Sequence, residues 1–164
     1  MEQKIKREQK AKTPEQALQS LMRMCARSER SSGDALRLMK RWGVADDAAR
    51  KVLSKLQADR FIDDARYAEA FVRDKLNLSG WGAYKIKSAL RTKGVSKDII
   101  DEVIAPMIEA TDMKERLEDI MKRKLRTLKY SSAYDAKNKL IRFAASRGYE
   151  LDEAIECASK IVGE

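Results

Sequence analysis

Three features of this sequence use residue types that chemistry could exploit: the Gly80-Trp81-Gly82 triplet, the adjacent pair Asp63-Asp64, and the acid-free cationic run from Lys85 to Lys97. A glycine-rich phosphate cradle needs Gly-x-x-x-x-Gly-Lys-Ser/Thr after a strand, or Gly-x-Gly-x-x-Gly between a strand and a helix. Gly80-Trp81-Gly82 fits neither, and the residues before it space Tyr67, Phe71, Val72 and Lys75 as a helix. Clustered carboxylates can hold a divalent ion for nuclease chemistry. Asp63 and Asp64, being adjacent, point to different sides of a helix, and Asp63 stands where an N-cap belongs, so capping and dipole complementation account for the pair. The chain has no histidine, which removes imidazole-based acid–base and nucleophilic sites. The sequence therefore predicts a protein that is not an enzyme and needs neither cofactor nor metal.

The cations are arranged for binding. At 100° per residue, Ile86, Ala89 and Leu90 form one stripe of a helix, while Tyr84, Lys87 and Arg91 fall together opposite it, flanked by Lys85, Ser88 and Thr92. An aromatic ring beside two cations can stack or hydrogen-bond while the charges meet phosphate or carboxylate. Similar segregation recurs at Arg37, Lys40 and Arg41, and at Lys137, Lys139, Arg142 and Arg147; Lys122, Arg123, Lys124, Arg126 and Lys129 form another run without acids. The predicted partner- or nucleic-acid-binding residues are Tyr84, Lys85, Lys87, Arg91 and Lys93, then Lys122, Arg123, Lys124 and Arg126, then Lys137, Lys139 and Arg142. Much of the acid lies elsewhere, at Asp98, Asp101 and Glu102 and at Asp152, Glu153 and Glu156.

The elements that position these faces are helical. Only 7 Gly and 2 Pro in 164 residues, with 37% charged residues, leave few turn signals for strands. Thr13-Pro14-Glu15-Gln16 supplies an N-cap, a first-turn proline and a capping-box glutamine. Breaks between short amphipathic stretches predict nine helices. Three breaks share one form, a basic helix followed by Gly and then Val or Tyr, at Gly43-Val44, Gly94-Val95 and Gly148-Tyr149. Recurrence about every fifty residues predicts an elongated array of three tandem three-helix repeats over 14–58, 61–110 and 112–162, after a basic flexible arm over 1–13. Glycine adopts the left-handed conformation that commonly ends a helix, and Pro106 is expected to kink or end its own.

The 35 Lys and Arg against 26 Asp and Glu leave +9, which suits a polyanion or an acidic protein surface. Cys25 and Cys157 read as reduced, buried thiols, no stretch is apolar and long enough for a bilayer, and the start lacks an apolar leader core. A cytoplasmic monomer without membrane contact is expected.

The run Phe61-Ile62-Asp63-Asp64-Ala65-Arg66-Tyr67-Ala68-Glu69-Ala70-Phe71-Val72-Arg73-Asp74-Lys75, the spacing Gly82, Ile86, Leu90, Lys93, Gly94, Val95, and the segments Lys139-Leu140-Ile141-Arg142-Phe143-Ala144 and Arg147-Gly148-Tyr149 together resemble the RecX family, regulators of the RecA recombinase. The resemblance implies tandem three-helix repeats that bind along the RecA filament, contact protein and also single- or double-stranded DNA, and restrain recombinase activity, ATP hydrolysis and filament growth. Ala83 and Tyr84 stand where the family tends to carry further cations. The alternative is a DNA-binding protein that acts without RecA.

Overall fold

Apolar residues at helical spacing, separated by caps and glycines, build every regular element of the computed structural model, which describes residues 10–163; no strand occurs among them. The elements are α1 (Pro14–Arg27), α2 (Ser32–Arg41), α3 (Asp46–Ala58), α4 (Asp64–Asp74), α5 (Ala83–Thr92), α6 (Lys97–Ile99), α7 (Ala105–Glu109), α8 (Met113–Thr127), α9 (Ala133–Ser146) and α10 (Leu151–Val162). A π-helical turn, Lys75–Ser79, extends α4, and a second, Ile100–Ile104, joins α6 to α7 as one continuous rod.

The chain divides into two units, one running to Tyr67 and taking in Lys93–Val95, the other made of Ala68–Thr92 and the residues from Ser96 onward. In the first unit, Thr13 and Gln16 form the expected reciprocal capping box of α1. Leu21, Met39, Leu56 and Ile62 are fully buried in the core of α1 to α3, each stabilising the fold by roughly 1.5–3 kcal/mol. Gly43 ends α2 at φ 75°, and the N–H of Val44 returns to the Met39 carbonyl at 3.0 Å, satisfying a carbonyl that the last helical turn leaves open. Of the predicted arm, residues 1–9 lie outside the described residues. Lys12 is held: its N–H donates to the Trp42 carbonyl at 3.0 Å, its ammonium to Ser20 Oγ at 2.7 Å, and the ammonium lies 4.0 Å from the Trp42 ring.

Asp63 and Asp64 are capping residues. The Arg66 N–H donates to Asp63 Oδ1 at 3.0 Å at the start of α4, and the Ser32 N–H donates to Asp64 Oδ1 at 2.8 Å at the start of α2.

In the second unit, α8, α9 and α10 enclose Leu117, Met121, Leu140, Ala144, Ala154 and Ala158. Gly148 repeats the arrangement at Gly43, with φ 89° and the Tyr149 N–H on the Ala144 carbonyl at 3.2 Å. The rod carrying Pro106 neither stops nor breaks there. Proline lacks an N–H and its ring crowds the carbonyl four residues back; the π turn just ahead accommodates this by wider bonding, with the Ala105 N–H on the Ile100 carbonyl, so the helix resumes through Glu109.

Candidate functional site

The face of α5 is built from a glycine upward. The Gly82 N–H donates to the Arg147 carbonyl at 2.6 Å, and the Gly82 carbonyl receives the Ile86 N–H at 3.2 Å, so the first turn is fixed at both ends. Ile86 and Leu90 are fully buried. Opposite them Tyr84 is 68% exposed and Arg91 is exposed, with Lys87 half-buried between. Asp101 has its carboxyl pulled down mainly by a hydrogen bond from Lys97, with smaller contributions from the Lys87 and Arg91 charges. A tyrosine and two cations therefore share the outer face of a helix whose inner face is locked.

Lys85 is engaged within the unit: its ammonium donates to the Ser146 carbonyl at 2.9 Å and lies 4.4 Å from the Trp81 ring, which also has Lys75 at 4.6 Å. Lys93 belongs to the first unit, where its ammonium stands 3.8 Å from Asp34 and its carbonyl accepts the Ser31 hydroxyl at 2.8 Å.

On α8, Lys122 pairs with Glu118 at 2.6 Å, and Lys160 reaches the same carboxylate at 2.7 Å. Those two ammonium groups hold Glu118 down at about 2. Arg123 Nε reaches the Asp119 carbonyl at 3.4 Å, Lys124 lies 5.4 Å from the Phe143 ring, and Arg126 is exposed in the last turn. On α9, Lys139 pairs with Asp135 at 3.0 Å and donates to the Lys129 carbonyl at 2.8 Å; Lys137 is half-buried and Arg142 exposed. Six of the eleven predicted cations have partners within the protein, of two kinds. Lys93, Lys122 and Lys139 are matched by carboxylates, whereas Lys85, Arg123 and Lys124 rest on carbonyls or aromatic rings and keep their charge uncompensated.

Arg116 escaped the sequence reading. Its guanidinium donates to the Leu76 carbonyl at 3.0 Å and to Asn77 Oδ1 at 3.3 Å, beside the π turn. Its spacing from Ile120, Arg123 and Lys124 on one helix was the signal that could have found it.

Cys25 and Cys157 are free as expected but only half-buried rather than buried, lying at the edge of their cores, and what burial they have raises both thiols above their ordinary range. Among the described residues no group of three or more His, Cys, Asp or Glu could hold a metal ion, and no helix is long and apolar enough to cross a membrane.

Helices of this kind define the class of all-α proteins built from three-helix domains. The family description "RecX, second three-helix domain" matches residues 63–104, and "RecX, third three-helix domain" matches residues 111–157. The regulatory protein RecX of Mycobacterium avium is 36% identical over 122 residues, covering 73% of this chain and 69% of that protein. That of Mycolicibacterium vanbaalenii is 30% identical over 155 residues, covering 91% and 84%. The chain belongs to the RecX family. It spans only 58% and 64% of the length of two Clostridium botulinum relatives, each 36% identical to it. The crystal structure of RecX from Lactobacillus salivarius shares the fold with a TM-score of 0.72 at 19% identity, over 90% of this chain and 96% of that one.

Proposed function

We propose that this chain is a non-catalytic regulator that binds the RecA recombinase filament in the cytoplasm and restrains its recombinase and ATPase activity during DNA recombination and repair. It acts as a monomer of three three-helix repeats, over 14–58, 61–110 and 112–162, with the filament protein and its DNA as partners. The observation that carries this reading is the α5 face, where Tyr84, Lys87 and Arg91 stand outward over a helix anchored by fully buried Ile86 and Leu90. A face that is rigid before binding loses little conformational freedom on docking. Relatives named as regulatory proteins, and a net charge of +9, support the same reading.

The test is titration of the full chain into RecA assembled on single-stranded DNA, following ATP hydrolysis, beside binding to the same DNA without RecA. Hydrolysis is expected to fall as the chain is added. Unchanged hydrolysis with tight binding to naked DNA would replace this reading with the second one, a DNA-binding protein acting without RecA, which the uncompensated cations on α8 favour.

A further inference from the structure

Within the second unit, the π turn Lys75–Ser79 and the helices α8 and α9 bound a cleft of about 410 Å³. Four cations line it, Arg116, Arg123, Lys124 and Arg147, against the single carboxylate of Asp119. Their partners set them apart from the cations of this protein that form ion pairs. Arg37, Lys55, Arg66, Arg73, Lys97, Lys122 and Lys139 are all paired with carboxylates. The cleft cations are held by neutral groups instead. Arg116 is fixed by the Leu76 carbonyl and the Asn77 amide, Arg147 by the Ser79 carbonyl at 2.9 Å and the Phe143 ring at 5.2 Å, Arg123 by the Asp119 carbonyl, and Lys124 by Phe143. The short bonds to the Leu76 and Ser79 carbonyls restrict Arg116 and Arg147 without neutralising them, and Arg123 and Lys124 add their charge beside them. The result is a preorganised concentration of positive charge, which attracts an anion more strongly than flexible or paired cations would.

We propose that this cleft takes a backbone phosphate of single-stranded nucleic acid. Three properties select that ligand. The cleft has the size of a small-ligand site, on the scale of one nucleotide unit. Guanidinium forks match phosphate oxygens, and each fork here leaves N–H groups beyond those spent on carbonyls. Leu78, at the rim, is 83% exposed and offers an apolar surface beside the charges against which a base or sugar can rest. The proposal deepens, and takes its partner from, the reading of the chain as a regulator of a filament on DNA; it adds the place where that DNA is held.

The experiment uses the full chain and a fluorescein-labelled oligo-dT of about twenty nucleotides, with anisotropy followed as salt rises from roughly 50 to 200 mM, the range over which counterion release is large. Arg123→Gln combined with Lys124→Gln is expected to weaken binding about ten-fold and to flatten the slope of log K against log salt by about 1, since each phosphate contact on a single strand contributes ~0.7. Helix content and melting temperature stay at wild-type values. Leu78→Glu, which alters an exposed side chain and no packing, is expected to weaken binding in the same direction, whereas Leu78→Gln does so much less.

Oligo-dT binding and salt slope unchanged in both the double variant and Leu78→Glu would overturn the proposal. If those variants lost only their effect on RecA ATP hydrolysis, the cleft would face an acidic protein surface: the regulator reading would survive and this inference would not. Weakened oligo-dT binding in the variants, with no effect of the wild-type chain on RecA, would uphold the cleft and remove the regulator reading. Competition by dTMP as strong as by an equal concentration of oligonucleotide phosphate would mark a free-nucleotide site and overturn the proposal.

Discussion

The backbone N–H of Gly82 meets the carbonyl of Arg147 at 2.6 Å, and a Cβ added to Gly82 would stand 2.5 Å from the Gly148 carbonyl oxygen. The start of α5 is thereby pressed onto the turn after α9, backbone against backbone. The first unit contains a parallel contact: the Ser31 hydroxyl donates to the Lys93 carbonyl at 2.8 Å, and a Cβ on Gly33 would collide with that same carbonyl. In each case the accepting carbonyl belongs to the residue before a left-handed glycine, Gly148 or Gly94.

Gly33 lies inside α2 with ordinary helical geometry, so propensity alone would have alanine stabilise it by up to ~1 kcal/mol. Packing opposes this and is larger, because a carbonyl cannot yield as a side-chain tip can; overpacking costs about 1–3 kcal/mol. Gly33→Ala and Gly82→Ala are each expected to destabilise by about 2 kcal/mol in urea unfolding. Gly43→Ala, where a Cβ meets nothing within 4 Å but φ is 75°, is expected to cost only ~1 kcal/mol from the left-handed backbone.

Arg60 occupies the same left-handed position after α3, at φ 60°, with the Phe61 N–H on the Leu56 carbonyl at 2.8 Å. Its Cβ is strained there and the site requires no side chain. Arg60→Gly is expected to raise stability by about 1 kcal/mol, read as a higher unfolding midpoint at unchanged denaturant dependence.

Glu118 has its pKa lowered from 4.5 to about 2 by hydrogen bonds from Lys122 and Lys160. A depressed folded-state pKa contributes stability above the unfolded value, and that contribution disappears as pH falls from about 4.5 through about 2. Carbon NMR of the Glu118 carboxyl is expected to titrate near 2, and to move toward the ordinary glutamate range in the variant Lys122→Gln with Lys160→Gln. Salt should shrink the shift, because the Glu118 side chain is only partly buried and its two lysine partners are exposed.

The parts of the fold that rest on local rules were legible in the sequence. Thr13 and Gln16 close their capping box, Asp63 caps α4, and Gly43, Gly94 and Gly148 are left-handed at φ 75°, 82° and 89°. The α5 stripe was legible for the same reason, since a 3.6-residue period separates Ile86 and Leu90 from Tyr84 and Arg91. What was not legible depends on partners distant in sequence. Asp64 caps α2 rather than its own helix, Lys85 spends its charge on the Ser146 carbonyl, and Arg116 reaches back to Leu76. The π turn before Pro106 was also missed, because proline restricts the backbone around it without dictating whether the chain ends the helix or widens a turn to continue.

The most direct test of the central claim is RecA ATP hydrolysis on single-stranded DNA, measured across a titration of the wild-type chain and of Lys87→Glu with Arg91→Glu. Both substitutions lie on the outer side of α5, away from buried Ile86 and Leu90, so helix content and melting temperature should change little. Inhibition by the wild-type chain, weakening as salt rises, and its loss by about ten-fold or more in the charge-reversed chain is the expected result. A double variant that folds normally and restrains RecA as the wild type does would contradict the assignment of this face.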